Sequence, residues 1–105
     1  MDEAEFNSAA DGTLRRIEQA LDESGADFDY EVKAGGVLEL EFADGSKIIV
    51  NRHTAAREIW VAAKSGGFHF RPENGRWVGT RDGQELFAAL SALASQQAGE
   101  SVSLG

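Results

Sequence analysis

The spacing between hydrophobic residues changes twice along this chain, and these changes limit the available folds more than any other feature of the sequence. The first third carries one apolar stripe at steps of three and four residues, which predicts an amphipathic helix over about residues 3–24: Phe6, Ala10, Leu14, Ile17 and Leu21. Residues 28–78 alternate apolar and polar side chains in short runs between glycine-containing turns, which is typical of half-buried strands. Helical spacing then returns with Leu86, Leu90, Leu93 and Gln97.

The order helix, six short strands, helix predicts an α+β two-layer sandwich. In this fold a six-stranded antiparallel sheet has both helices on one face and water on the other. A chain of 105 residues is expected to form a single domain over residues 1–105, because domains usually hold about 100–150 residues. Asp82 and Glu85 have the D-x-x-E spacing of a capping box, which predicts that the second helix opens at Asp82. We expect residues 98–105 to pack only in part.

The sequence lacks the residues that several function classes require. It has no cysteine, which excludes a disulfide framework, a thiolate metal site and a cysteine nucleophile, and suits a reducing compartment. No apolar run approaches eighteen residues and the first residues are acidic, so we expect a cytoplasmic protein without a membrane partner. The paired glycines match neither nucleotide-binding pattern, and two histidines, His53 and His69, are too few for a three-histidine zinc site. No catalytic residue is predicted.

The negative charge is concentrated near the N-terminus. The formal net charge is −8, and residues 1–31 hold ten acidic and two basic side chains, whereas residues 32–105 hold eight of each. A helical wheel places Asp11, Glu18 and Asp22 on one flank of the apolar stripe, where Glu18 and Asp22 repel each other one turn apart. Such a surface attracts cations or a basic protein and disfavours nucleic-acid binding. The alternative is an acidic surface that only keeps the protein in solution.

The first predicted strand continues the acidic surface. Its polar positions are all acidic and extend the helical stripe: Asp27, Asp29 and Glu31. We expect Asp29 to lie opposite Glu39 of the second strand, and Lys47 of the third strand to lie opposite Glu41. Carboxylate oxygens are hard ligands suited to iron, manganese or calcium. Because an exposed ridge on two elements forms no closed cage, we expect loose binding, with a dissociation constant of about 10⁻⁴ M or weaker for Ca²⁺.

Trp60 is expected on the exposed face of the sheet. The register that buries its neighbours, Ile59 and Val61, directs Trp60 outward, near Asn51 and within reach of His69. A large aromatic side chain on an open sheet face is typical of a protein-binding hot spot. The alternative is a register shifted by one residue, which would place Trp60 in the core.

Two stretches resemble the bacterial frataxin (CyaY) family, and the likeness extends over nearly the whole chain. They are residues 44–52, Asp-Gly-Ser-Lys-Ile-Ile-Val-Asn-Arg, and residues 59–70, Ile-Trp-Val-Ala-Ala-Lys-Ser-Gly-Gly-Phe-His-Phe; residues 96–103 resemble the end of family members. The resemblance implies a frataxin-like fold and a role in iron–sulfur cluster assembly. It further implies that the protein binds iron weakly and associates with the cysteine desulfurase and the scaffold protein.

Position by position, the resemblance assigns the iron-binding ridge to six acidic residues: Glu18, Asp22, Glu23, Asp27, Asp29 and Glu31. It assigns an exposed, partner-binding sheet patch to Asn51, Arg52 and Trp60. The chain departs from the family at His53, where the family more often has glutamine. It also departs at Arg15 and Arg16, which reduce the acidity of the first helix.

Three functions are compatible with the acidic surface. The first is a non-enzymatic adaptor, monomeric without metal, that carries iron and docks on a basic groove of the desulfurase. The second is a ferroxidase or iron-storage protein, which needs paired carboxylate and histidine ligands at E-x-x-H spacing, and the sequence has no such pair. The third is an acidic mimic or inhibitor without a role for metal.

Overall fold

The structure, a computed structural model, describes residues 1–25 and 28–105. Helix α1 spans Glu3–Ser24, which confirms the predicted range. It begins with a capping box, in which the Asp2 carboxylate accepts from the Glu5 amide at 2.8 Å and the Glu5 carboxylate accepts from the Asp2 amide at 3.3 Å. It ends at Gly25, whose φ of 67° is the left-handed conformation that glycine adopts without strain. The predicted apolar stripe is buried along the helix.

Six strands form one antiparallel sheet in chain order, so each strand pairs with its neighbours in sequence. They are β1 (Asp29–Lys33), β2 (Val37–Glu41), β3 (Lys47–His53), β4 (Glu58–Ala63), β5 (Gly66–Glu73) and β6 (Arg76–Gly79), and helix α2 spans Leu86–Ala98. Buried residues from the strands join those of both helices in one core. The predicted α+β two-layer sandwich is confirmed, and β1 and β6 are the sheet edges.

Two polar contacts tie α1 to strands β3 and β6. The Trp77 indole N–H of β6 donates to Thr13 Oγ1 at 2.7 Å, and the Phe6 ring meets Trp77 edge-on with centroids 5.8 Å apart. Arg52 of β3 donates to Asp11 Oδ1 at 2.5 Å. Because leaving a buried N–H without an acceptor costs about 1–3 kcal/mol, Thr13 and Trp77 fix how α1 lies on the sheet.

The start of α2 differs from the prediction. The N-cap is Glu85, whose carboxylate accepts from the Phe87 amide at 2.8 Å and the Ala88 amide at 3.2 Å. Asp82 instead accepts from the Gln84 amide at 3.0 Å. The predicted capping box is wrong because Glu85 still pairs with Val78 as a β-bridge, so the chain stays extended up to that residue.

The C-terminal tail packs against α2 through alternate residues. Val102 and Leu104 are buried, whereas Ser101 and Ser103 are exposed, in line with the expected partial packing. The Leu104 amide donates to Ser91 Oγ at 2.9 Å, and Ser95 Oγ binds the tail in the same way through the Val102 amide at 2.8 Å. The tail is therefore part of the core.

Leu104→Ala is expected to lower the free energy of unfolding by about 2–3 kcal/mol, because it removes a buried side chain and leaves a cavity beside α2. Val32→Ala, at a residue that is 57% exposed, is the control and should change the free energy by at most about 0.5 kcal/mol. Urea unfolding followed by circular dichroism measures both values. Equal losses in the two variants would show that the tail contributes nothing to the core.

Candidate metal-binding edge and exposed aromatic patch

The acidic residues predicted on the last turns of α1 lie beside the edge strand β1. Glu18 is half-buried and lines a groove between α1 and the first hairpin, together with Val32 and Lys33. Asp22, one turn further along, contacts β1 directly, and Glu23 is exposed. Glu18 and Asp22 therefore share the flank of α1 that overhangs the sheet edge.

Tyr30 joins the edge strand to this flank. Its hydroxyl donates to Asp22 Oδ1 at 2.5 Å. The bond favours the protonated phenol, and together with partial desolvation and the nearby Glu18 carboxylate it raises the pKa of Tyr30 above its usual value. Tyr30 pairs with buried Leu40 of β2 and so faces the helical layer. The alternating pattern of the first strand predicts an inward-facing Tyr30 but not its contact with Asp22, although a hydroxyl between two acidic positions was a usable signal.

Asp29 and Glu31 flank Tyr30 in β1 and point to the other face of the sheet, because successive side chains of a strand alternate. Both are exposed, and their partners in β2 are Glu41 and Glu39 respectively. The four carboxylates and Tyr30 line an open depression of about 110 Å³. The strand acids therefore lie on the open face of the sheet, whereas the helix acids lie on the covered side of the same edge.

The register of the first hairpin differs from the expected one by two residues. Asp29 was expected opposite Glu39, but Glu39 pairs with Glu31. In the expected register Lys33 would lie opposite Gly35, which leaves one residue for the turn. The observed register pairs Lys33 with Val37 and leaves three, two of them glycines with positive φ. The pairing of Lys47 with Glu41 is confirmed.

Two lysines neutralise Glu39 at the centre of the open acidic face. Lys33 Nζ lies 2.6 Å from Glu39 Oε2, and Lys47 Nζ lies 2.7 Å from Glu39 Oε1. Their ammonium groups lower the pKa of Glu39 to about 2, and the carboxylate raises the pKa of both lysines. Glu39 is therefore already paired with two ammonium groups. The carboxylates of this face that remain free to bind an ion include Asp29 and Glu31 of the edge strand.

We call Glu18 and Asp22 with Asp29 and Glu31 the acidic edge, because they lie on the two sides of β1. The predicted ridge thus wraps around a sheet edge and does not form one flat band. Of the other two predicted ridge residues, Glu23 is exposed on α1, and Asp27 lies outside the described residues. Within residues 1–25 and 28–105, no three carboxylate or imidazole groups are placed to hold one metal ion. An ion bound here would keep most of its water ligands.

Trp60 lies on the open face, and the alternative of a core position is wrong. Its direct neighbours are Asn51 of β3 and His69 of β5. His53 and His69 stack on the indole, with ring centroids 3.8 and 4.3 Å from it and planes within 15° and 7°. Glu58 Oε1 accepts from Trp60 Nε1 at 2.7 Å and lies 3.4 Å from His69 Nδ1. We call these five residues the aromatic patch; the stack of three rings was not predicted.

Arg52 does not share the face of Asn51 and Trp60, although the three were expected to form one patch. It pairs with buried Ile59, so its side chain points to the helical layer, where it binds Asp11 of α1. The backbone supports this position: the Arg52 amide donates to the Gly36 carbonyl at 2.9 Å, and a Cβ at Gly36 would lie 2.9 Å from the Arg52 side chain. Asn51 and Trp60 are therefore the two predicted patch residues on the open face.

Comparison with known proteins gives a consistent result over the whole chain. A family model described as a frataxin-like domain matches residues 1–100. A relative from Dechloromonas aromatica, named iron–sulfur cluster assembly protein CyaY, is 60% identical over 99% of this chain and 99% of its own length. A relative of the same name from Neisseria meningitidis serogroup B is 47% identical over 99% of this chain and 96% of its own length.

Solved structures match as well. Frataxin from Psychromonas ingrahamii superposes with a TM-score of 0.91 at 37% identity, covering 98% of this chain and 97% of that one. Trimeric frataxin from Saccharomyces cerevisiae, solved in complex with ferrous iron, superposes with a TM-score of 0.74 at 26% identity, covering 88% and 87%. No helix in the described ranges is both long and apolar enough to cross a membrane.

Asp22→Asn is expected to lower the pKa of Tyr30 toward its usual value of about 10, because the phenol loses a charged acceptor. Tyr30 is the only tyrosine, so absorbance at 295 nm between pH 8 and 12 reports its ionisation alone. Glu23→Gln, which removes the adjacent exposed carboxylate, is the matched control and should leave the midpoint unchanged. A midpoint that moves equally in both variants would assign the shift to the general negative field.

Glu39→Gln is expected to lower Tm at neutral pH, with an effect that disappears in acid. The two lysines keep the pKa of Glu39 at about 2 in the fold, below that of an unfolded glutamate, so the ion pairs stabilise the fold above about pH 4.5 and are lost as the pH falls toward 2. Thermal melts between pH 2 and 7 should show the difference in Tm between the wild type and Glu39→Gln shrinking as the pH falls from about 4.5 toward 2. Glu41→Gln, at a carboxylate without an ion pair among the described residues, should show a smaller gap; a pH-independent gap for Glu39→Gln would contradict the assignment.

Proposed function

The chain belongs to the frataxin-like family, and from that premise we propose that it acts in iron–sulfur cluster assembly as a non-enzymatic adaptor. It binds iron weakly at the acidic edge and associates with a cysteine desulfurase and a scaffold protein in the cytoplasm. The observation that carries the proposal is the 60% identity over 99% of both chains to a relative named for this process. The structure of a yeast family member with ferrous iron supports iron as the metal.

The geometry of the acidic edge supports weak and transferable binding. Its carboxylates come from α1 and β1, and Asp29, Glu31 and Asp22 are exposed. Oxygen ligands suit ferrous and ferric iron, but a site with one or two protein ligands leaves the remaining positions to water and holds the ion loosely. A ferroxidase or an iron store would need a closed group of ligands, and none exists within the described residues.

The acidic edge and the aromatic patch can each serve a protein partner. The acidic edge fits a basic groove, as proposed for the desulfurase, because opposite charges steer association. The aromatic patch offers a large aromatic side chain on an open sheet face, which is the composition of a hot spot. Since iron and a basic partner both use the carboxylates of the acidic edge, each is expected to weaken the binding of the other.

A charge-matched pair of variants tests the proposed role of the acidic edge. The test variant carries Asp22→Asn, Asp29→Asn and Glu31→Gln; the control carries Glu3→Gln, Glu73→Gln and Glu100→Gln, which removes three exposed carboxylates elsewhere. Both start from a net charge of −8 and lose the same number of negative charges. Differences between them therefore report position and not overall charge.

Anaerobic titration with ferrous iron should broaden the amide resonances of residues 18–31 in the wild type and in the control, and should leave them sharp in the test variant. Retention on immobilised cysteine desulfurase should follow the same pattern. Iron at ten times its dissociation constant should stabilise the wild type by about 1.4 kcal/mol, with magnesium at equal ionic strength as the reference. Equal iron binding by both variants would overturn the iron site, and equal desulfurase retention would overturn the docking role.

A further inference from the structure

Two arginines line a groove at β6, the sheet edge opposite the acidic edge. Arg16 of α1 and Arg76 of β6 border a groove of about 300 Å³ between α1 and the β5–β6 hairpin. Within the part of the chain that the structure describes, neither guanidinium has a carboxylate at ion-pair distance, whereas five other basic side chains do. In a protein of net charge −8, two unpaired guanidinium groups on one groove are a distinct positive surface.

The walls of this groove are held in place by packing. On one side the Arg16 guanidinium lies over the Phe87 ring of α2, 5.0 Å from its centroid. On the other side Arg76 follows a two-residue hairpin turn of Asn74 and Gly75, whose φ values of 50° and 78° give a tight turn. The Arg16 guanidinium and the backbone that carries Arg76 are therefore held in place, so a ligand would find part of the groove ordered in advance.

The floor of the groove is rigid and small. The bond from the Trp77 indole N–H to Thr13 Oγ1 joins the two sides, and Gly12 contributes no side chain. Along α1 the groove runs from Ser8 to Arg16, which is about 12 Å at 1.5 Å per residue. That length fits about four residues of extended peptide at 3.3 Å per residue.

The field of the acidic edge does not cancel this positive surface. β6 and β1 are opposite sheet edges, and five strand spacings of about 4.8 Å put them about 24 Å apart. Surface charges are screened over about 8 Å at physiological ionic strength, so Asp29 and Glu31 of β1 act only weakly here. Glu18 and Asp22 share α1 with Arg16, but at 100° per residue they project about 160° and 120° away from it, on the flank that faces β1. The nearest acidic residue on the hairpin, Glu73, lies 3.3 Å from Arg71 and is paired with it.

We propose that this groove binds a short extended segment of a partner protein that carries two or more acidic side chains. Planar guanidinium groups match carboxylates in geometry as well as in charge, which favours acidic side chains over neutral ones. The length of the groove favours a peptide over a small anion, which would reach only one arginine. This surface is separate from the acidic edge and from the aromatic patch, and it does not depend on iron.

The test uses the peptide acetyl-GDEDEG-amide and its neutral counterpart acetyl-GNQNQG-amide in an NMR titration of the full chain. The acidic peptide should shift the Trp77 indole N–H and the amides of residues 8–16 and 72–77. Arg16→Gln combined with Arg76→Gln should weaken binding about tenfold, since two exposed ion pairs are lost. Arg15→Gln combined with Lys64→Gln removes the same charge outside the groove and should weaken it by less than about threefold. Arg76→Gln alone keeps the Arg16–Phe87 contact and should weaken peptide binding about threefold. This single variant tests the groove even if the double variant does not fold.

Four results would overturn the proposal. They are equal weakening by the groove and control variants, shifts confined to other surfaces, equal binding of the neutral peptide, and full displacement of the acidic peptide by an equal concentration of inorganic phosphate, which would indicate a small-anion site. Light scattering during the titration adds a further outcome, because a dimer that the groove variant abolishes would assign the groove to a second copy of this chain.

Discussion

The contact between Tyr30 and Asp22 joins the edge strand β1 to the end of α1, and the carboxylates of the acidic edge are arranged around it. The phenol reaches Asp22 only when the Tyr30 side chain faces the helical layer. Alternation along the strand then sends Asp29 and Glu31 to the open face. Because the inward-facing Tyr30 binds the helix acid while its neighbours in β1 face outward, the carboxylates of the two elements lie on opposite sides of one strand and do not form a cage.

The balance of charge around β1 leaves carboxylates accessible to a cation and opposes association through the sheet edge. Lys33 and Lys47 bind Glu39, so the inner part of the open face is neutralised and the free carboxylates lie further out. Like charges one turn apart on α1 cost a few tenths of a kcal/mol, which the core tolerates. Charged side chains on an edge strand also oppose the addition of another strand. The same residues can therefore attract a cation and protect the sheet from edge-to-edge association.

Most of the fold was predictable because it follows from local periodicity. The spacing of apolar residues along the chain predicts the range of α1, the six strands and the outward position of Trp60. The start of α2 was not predictable from local periodicity, because a β-bridge at Glu85 competes with the capping box at Asp82. The ring stack on Trp60 depends on the registers of three strands, which sequence patterns do not fix. Arg52 was assigned by resemblance to a patch on the open face, whereas alternation alone places it with the buried residues of β3. The metal-binding and partner-binding roles of the predicted site residues stay predictions.

Anomalous diffraction from crystals soaked anaerobically with ferrous iron tests the central claim most directly, because it locates the ions and counts their ligands. The account predicts partly occupied iron peaks along α1 and β1, each with one or two carboxylate ligands from the acidic edge and with water in the remaining positions. A single fully occupied ion enclosed by four or more protein ligands, or iron bound only away from this edge, would contradict it.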